Sequence, residues 1–373
     1  MHALSTPTPP ERLVEQPSTE TVDLGIVEGY FGRPWSWAER EATMVFLAGA
    51  GYRFFLYAPK ADVHLRRRWR EPHPDAELSA LRRFAESCHA HGVRFGVGLS
   101  PFEAWRDFGS ETRQALASRL RELDALGLDL LALLFDDMRG DSPELAVRQA
   151  EMVGFAAAHT HATQVWMCPT YYADAPVLDL VFGARPANYL ATLGRRLDPA
   201  IGVFWTGEEV CSREFSRSHL ERIASELRRR PVLWDNYPVN DGERMSRHLH
   251  LRGFTGRNVL AADLIAAHAI NPALQPVLTR VPALTLAAQR RLGPRYSYGE
   301  ATREALVQVL GERLGHRVAE DLLALQDVGL DRLGGRRAAL RERYAAQSHP
   351  GAREITNWLD GTYAMGAEEV QTQ

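Results

Sequence analysis

Leu130-Leu131-Ala132-Leu133-Leu134-Phe135-Asp136-Asp137 sets six apolar residues directly against two adjacent carboxylates. A run this short and this continuously apolar reads as a strand buried on both faces, as in a parallel sheet covered by helices. The same form recurs at Phe54-Phe55-Leu56-Tyr57-Ala58-Pro59-Lys60, where a proline and then a charge end the run. Working outward, strand patterns fall at Leu24–Tyr30, Arg53–Ala58, Arg94–Leu99, Leu130–Phe135, Val165–Cys168, Ile201–Trp205, Val232–Trp234 and, with the faintest pattern, Ala266–Ile270. Helical patterns lie between them, among them Ala76–His91, Ser110–Leu126, Pro143–His159 and Ser218–Arg229. Leu116, Leu120, Leu123 and Leu126 repeat at the spacing of one helix face. Eight strands alternating with helices predict an α/β chain of the (β/α)₈ TIM-barrel type. An open doubly wound sheet is the rival. No glycine-rich phosphate loop follows the first run, which weakens a nucleotide-binding reading.

After about Gln275 the strand patterns stop. Pro282–Leu292, Tyr298–Gly315, Val318–Leu333, Arg336–Gln347 and Gly351–Tyr363 read as helices separated by Gly, Pro or His. The expected organisation is a disordered leader over residues 1–22, a catalytic barrel over 23–275, a C-terminal helical region over 276–363 and a loose tail over 364–373. The leader is rich in Pro, Thr and Ser and lacks an apolar core, unlike a signal peptide. The 373 residues are 45% hydrophobic, ample for a large core, and carry a formal net charge of -3. No basic field favours nucleic acid or an anionic membrane. Cys88, Cys168 and Cys211 are few, odd in number and far apart, which fits a reducing, cytoplasmic compartment and offers no metal-ligand spacing.

Each strand pattern ends in polar residues: Glu28-Gly29-Tyr30-Phe31, Lys60, Asp136-Asp137, Cys168-Pro169-Thr170-Tyr171-Tyr172, Trp205-Thr206-Gly207, Trp234-Asp235-Asn236 running on to Asp241, and Asn271-Pro272. In a barrel these ends converge on one face, so they read as one site. Carboxylates, amides, an ammonium and several aromatic rings, without a histidine cluster, suit a sugar: apolar faces to stack on and polar groups for hydroxyls. Lys60 is the only lysine among 44 basic residues, all others being Arg. A place that accepts an ammonium and not a planar guanidinium explains its survival; a chance leftover is the alternative. Two carboxylates at the mouth of an apolar barrel repel and are partly desolvated, so one holds its proton more tightly than the other. Adjacent strand residues point to opposite faces, so both serve one site only if the chain bends, which Met138-Arg139-Gly140-Asp141 would permit. Glu28 reads as a brace for its loop, with a second carboxylate of the site as the alternative. Of the two tryptophans, Trp234 is the better sugar-facing candidate and Trp205 the better core residue. Cys168 reads as a small buried apolar residue. The run His64–Arg70 could meet an acidic glycan or a phosphate, with a solvated loop as the plainer reading.

Glu28-Gly29-Tyr30-Phe31-Gly32-Arg33-Pro34-Trp35, Tyr57-Ala58-Pro59-Lys60, Phe135-Asp136-Asp137, Cys168-Pro169-Thr170, Trp205-Thr206-Gly207 and Trp234-Asp235-Asn236 occur in an order that resembles glycoside hydrolase family 84, the β-N-acetylglucosaminidases that include protein O-GlcNAcases. The resemblance covers roughly residues 23 to 275. It implies that Asp136 orients and polarises the substrate acetamido group and that Asp137 is the general acid/base. Lys60, the backbone of Gly29, Asp241 and Asn271 would hold ring hydroxyls. Tyr172, Trp234 and Asn236 would line the N-acetyl pocket. It further implies retaining exo-hydrolysis of β-linked GlcNAc, including O-GlcNAc on Ser or Thr, by substrate-assisted catalysis through an oxazoline. The substrate would be a β-GlcNAc-bearing glycan or glycoprotein, with no metal or organic cofactor. The alternatives are a non-catalytic β-GlcNAc-binding protein and an endo-acting, hyaluronidase-like enzyme. The sequence departs from the family pattern at Ala61, where Asp is usual, at Leu65, where His is usual, and at Tyr171, where Glu is usual.

Overall fold

The structure, a computed structural model, describes residues 22–257 and 263–366. The expected leader, apart from Val22, and the tail beyond Gly366 lie outside the described residues. Eight parallel strands close into a barrel in chain order: β1 (Asp23–Glu28), β2 (Tyr52–Tyr57), β3 (Arg94–Leu99), β4 (Leu130–Leu134), β5 (Gln164–Cys168), β6 (Gly202–Trp205), β7 (Val232–Asp235) and β8 (Ala267–Ile270). The last strand returns to the first with Leu24 beside His268. The barrel reading is therefore correct, and so is the faint eighth strand. All five residues of β4 are buried, because each strand is paired on both edges and packed on both faces. Polar side chains are thereby displaced to the strand ends.

Helices α1 (Trp37–Gly49), α2 (Asp75–Ala90), α3 (Ser110–Asp124), α4 (Leu145–His159), α5 (Pro176–Phe182), α6 (Tyr189–Arg196) and α7 (Arg217–Leu227) surround the barrel. Ser36 caps α1 reciprocally with Glu39. Then follow α8 (Pro276–Leu292), α9 (Tyr298–Leu310), α10 (Glu312–Leu322), α11 (Arg336–Ala345) and α12 (Pro350–Leu359). Helix α8 starts earlier than its sequence pattern suggests. Pro276 sits in its first turn, where no N–H partner is needed, and Pro282 lies inside it. The expected helix Tyr298–Gly315 is two, since Gly311 at φ 78 breaks it. The expected helix Val318–Leu333 is likewise broken, by a π-helical turn over Leu323–Val328 and by Gly329 at φ 75.

Helix α8 packs on α1 and on β2: the Tyr52 hydroxyl donates to Ala283 O at 3.0 Å and Thr43 Oγ1 to Pro276 O at 3.2 Å. It thus takes the place of the barrel's eighth helix, and we propose that the helical region begins behind it. Among the described residues no helix is long and apolar enough to cross a membrane.

Candidate active site

The C-terminal ends of the strands enclose a cavity with about 510 Å³ of free space, open mouth included. Its lining contains Gly29, Lys60, Asp136, Asp137, Tyr172, Trp234, Asn236, Asp241 and Asn271, every residue that the sequence nominated. Phe31, Cys168, Thr206, Val210, Cys211 and Val239 complete it. Of these, Val210, Cys211 and Val239 had no signal of their own, being apolar residues in loops whose course only the closed barrel determines.

Asp136 follows β4 and is 6% exposed. The bend that brings both carboxylates to one site occurs at Asp137 itself, at φ 56, and not in Met138–Asp141 as the glycine suggested. Aspartate tolerates this left-handed backbone better than most residues, because its short side chain bonds locally. Lys60 Nζ donates to Asp136 Oδ2 and stands 3.1 Å from Asp137 Oδ2. The lone lysine therefore bridges the acid pair. The other Asp136 oxygen, Oδ1, is buried and has no hydrogen-bond partner among the described residues.

Burial raises the Asp136 carboxyl above its usual range; Lys60 pulls it down and the Asp137 charge pushes it further up. For Lys60, burial opposes the charge, yet Asp136 and Asp137 outweigh it and hold the ammonium protonated. Asp241, 7% exposed, accepts the Phe31 N–H at 2.8 Å. Burial raises Asp241 to about 6, against that hydrogen bond, and the Asp137 charge adds to the rise.

The opposite wall is one chain of hydrogen bonds. Trp234 Nε1 donates to Asn236 Oδ1 at 3.0 Å, Asn271 Nδ2 donates to the same oxygen at 3.0 Å, and Asn236 Nδ2 donates to Val210 O at 2.8 Å. The Gly29 N–H faces Asn271 Oδ1 at 3.3 Å. A Cβ at Gly29 would lie 2.3 Å from the Trp234 ring, so only glycine lets the backbone approach here. Beneath, Asp235 is gripped by Arg257 at 2.5 and 2.8 Å and by His268 at 2.9 Å, which fixes the strand end that presents Asn236.

Several subsidiary readings are settled by position. Glu28 is fully buried and paired with Arg40 at 2.6 Å, a brace behind the loop and not a site acid. Trp205 is core, its Nε1 donating to His219 at 2.9 Å. Cys168 lines the floor, and burial pushes its thiol well above the usual range, so it behaves as an apolar residue. Cys211 is pushed up to about 12 in the same way. The run His64–Arg70 is not simply a solvated loop: Leu65 and Trp69 are buried, and Arg66 stacks on Phe31 at 5.3 Å. Of the three departures, Tyr171 is buried outside the pocket and donates to Gly183 O at 2.6 Å. Leu65 is buried under the loop, and Ala61 lies on the outer rim.

The sequence matches the family model described as beta-N-acetylglucosaminidase over residues 24–327. The chain belongs to the β-N-acetylglucosaminidase family. This is the glycoside hydrolase grouping that the motifs resemble. The protein O-GlcNAcases of Rattus norvegicus and Mus musculus are each 30% identical over 266 residues, 68% of this chain and 27% of theirs. The chain thus spans about a quarter of the length of these relatives. A variant of the Thermobaculum terrenum O-GlcNAc hydrolase superposes with a TM-score of 0.75 at 27% identity, covering 90% of this chain and 80% of that one. Family membership and the barrel account for why nine residues from six strand ends share one cavity.

Proposed function

We propose that the protein is a retaining exo-β-N-acetylglucosaminidase that removes β-linked GlcNAc, including O-GlcNAc from Ser or Thr of proteins, by substrate-assisted catalysis. The observation that carries this reading is the state of Asp136: one oxygen held by Lys60, the other buried and unpartnered beside Asp137. An unsatisfied buried acceptor costs free energy until a donor arrives. The acetamido N–H of GlcNAc is such a donor. Held this way, its carbonyl oxygen attacks C1 while the bond to the leaving oxygen breaks, giving an oxazoline that is protonated on nitrogen and keeps that N–H hydrogen-bonded to Asp136. Asp136 stabilises the positive charge that develops on the acetamido group. Asp137 gives its proton to the leaving oxygen, then takes one from the water that adds to C1, and configuration is retained.

Burial raises the Asp136 carboxyl in the free protein, whereas the proposed role needs it ionised. An N–H donated to Asp136 favours its ionised form, and a sugar covering Asp137 removes water and favours its protonated form. Because the nucleophile belongs to the substrate, attack is intramolecular and gains a large effective concentration. Lys60, the Gly29 backbone, Asp241 and Asn271 would hold ring hydroxyls, and Tyr172, Trp234 and Asn236 the N-acetyl group. Free Cys88, Cys168 and Cys211 support a reducing, cytoplasmic setting.

Hydrolysis of an aryl β-N-acetylglucosaminide, of the matching β-glucoside and of hyaluronan tests the reading. Cleavage of the first alone supports it. Binding without turnover of the first, or cleavage of the polymer alone, overturns it.

A further inference from the structure

Phe31 divides the mouth of the site into two clefts. One, with about 850 Å³ of free space, runs past Arg33 and Ala61 to the C-terminal residues Tyr363 and Met365. The other, with about 790 Å³, begins at Asp137 and is walled by Phe31, Phe102 and Phe182. Arg66, Arg67 and Arg139 border this second cleft. Its charges are unevenly matched. Arg139 pairs with Asp141 at 2.7 Å, Glu103 with Arg106 at 3.5 Å, and Asp137 with Lys60. Arg66 and Arg67 make no ion pair among the described residues, and Arg66 Nε is buried without a hydrogen-bond partner. Arg68 and Arg70 of the same run do have acids, Glu71 and Glu111. The two unmatched guanidinium groups are instead stacked on the cleft walls, Arg66 at 5.3 Å from the Phe31 ring and Arg67 at 5.5 Å from the Phe102 ring. Stacking holds their planes in place while leaving their in-plane donors free for a carboxylate.

We propose that this cleft is a leaving-group subsite for an acidic polypeptide, with Arg66 and Arg67 receiving a carboxylate near the glycosylated Ser or Thr. The inference rests on the reading of the site as a β-N-acetylglucosaminidase. Asp137 protonates the leaving oxygen, so the leaving group lies on the side of Asp137, where this cleft starts. Free space continues past Phe31 in both directions, as a chain crossing the mouth requires and a terminal acidic sugar does not. Each exposed charge pair gives a modest gain, so two arginines together predict about a three- to thirtyfold preference at low salt. Screening should shrink it in concentrated salt.

The test compares kcat/KM for O-GlcNAc peptides that carry Glu, Gln or Lys beside the sugar, with a neutral aryl β-N-acetylglucosaminide and a GlcNAc–glucuronic acid disaccharide as controls. The native chain and Arg67→Glu are measured at 20 mM and 500 mM salt, with melting temperatures for both. The expected order is Glu over Gln over Lys in the native chain, compressed by salt and flattened in Arg67→Glu, where the new carboxylate offsets Arg66. Equal rates on the three peptides, with the aryl substrate cleaved, overturn the acidic-polypeptide subsite and leave the glycosidase reading standing. A preference confined to the acidic disaccharide overturns the peptide assignment. Inactivity on every β-GlcNAc substrate overturns both.

Discussion

Replacing Lys60 tests how the acid pair is held. Its Nζ bonds Asp136 and lies 3.1 Å from Asp137, and the three side chains are 3%, 7% and 19% exposed. At that separation and an effective dielectric near 20, one such pair attracts by about 5 kcal/mol before the cost of burying the charges is subtracted. The net loss on removing a charged donor is on the order of 1.5–3 kcal/mol, or about ten- to a hundredfold in kcat/KM. Lys60→Met keeps the bulk and removes the charge. Asp136, already raised by burial, then loses the group that lowers it, so its carboxylate persists only at higher pH. The acid limb of the kcat/KM profile should move up, with a larger loss at pH 6 than at pH 8. Lys60→Arg should be nearly as harmful, since Phe31 at 5.7 Å and Trp234 at 6.0 Å flank the ammonium and a planar fork cannot deliver donors to the same points. Rates on an aryl β-N-acetylglucosaminide from pH 5 to 9, with melting temperatures, decide the matter. A fully active Arg variant, or a Met variant whose acid limb stays in place, refutes the reasoning.

Asp137→Asn should severely slow substrates with poor leaving groups and spare activated aryl glycosides, because only the former need a proton; equal losses on both would remove Asp137 from the acid role. Asp241 is raised to about 6 by burial, so its ionised form, the acceptor for ring hydroxyls, is lost as pH falls through that value. Asp241→Asn should therefore lower kcat/KM and remove part of the acid limb, which a full pH profile reads directly. Stability carries the opposite sign. A carboxyl raised in the folded state contributes stability below its unfolded value, near pH 3.8, and loses it as pH rises through about 6. The Asn variant should thus gain on the order of 1–3 kcal/mol at pH 8 relative to its difference at pH 3, seen in denaturant unfolding.

The barrel was legible because its strands are short and uniformly apolar, and each is followed by a helix with its own period. Lys60, Asp136, Asp137, Trp234 and Asn236 stood out because polar residues at the ends of buried runs have nowhere to go but the mouth. The grip of Lys60 on both acids was not legible. The sequence suggested a donor to sugar hydroxyls, while the distance between the ends of β2 and β4 depends on the closed sheet. The bend at Asp137 was assigned one turn too late because glycine is the usual signal for such a bend and aspartate can supply it. Helix α8 was cut short because a proline normally opens or ends a helix, and burial on α1 carries the chain through Pro282. The arginines of the second cleft were read as solvated because a charge run is usually that. The aromatic walls contributed by Phe31 and Phe102, from other loops, and the acids that pair with Arg68 and Arg70 distinguish Arg66 and Arg67 from those two.

The central claim is that the substrate's own acetamido oxygen is the nucleophile, oriented by Asp136. Turnover of 4-nitrophenyl N-acetyl-β-glucosaminide and of its mono-, di- and trifluoroacetyl analogues measures this directly, since each fluorine weakens that oxygen and leaves the leaving group unchanged. The account predicts hydrolysis of the parent compound and a progressive fall in kcat across the series, with the slope abolished in no variant that retains Asp136. A flat series, with bond cleavage shown to be rate-limiting, would contradict it.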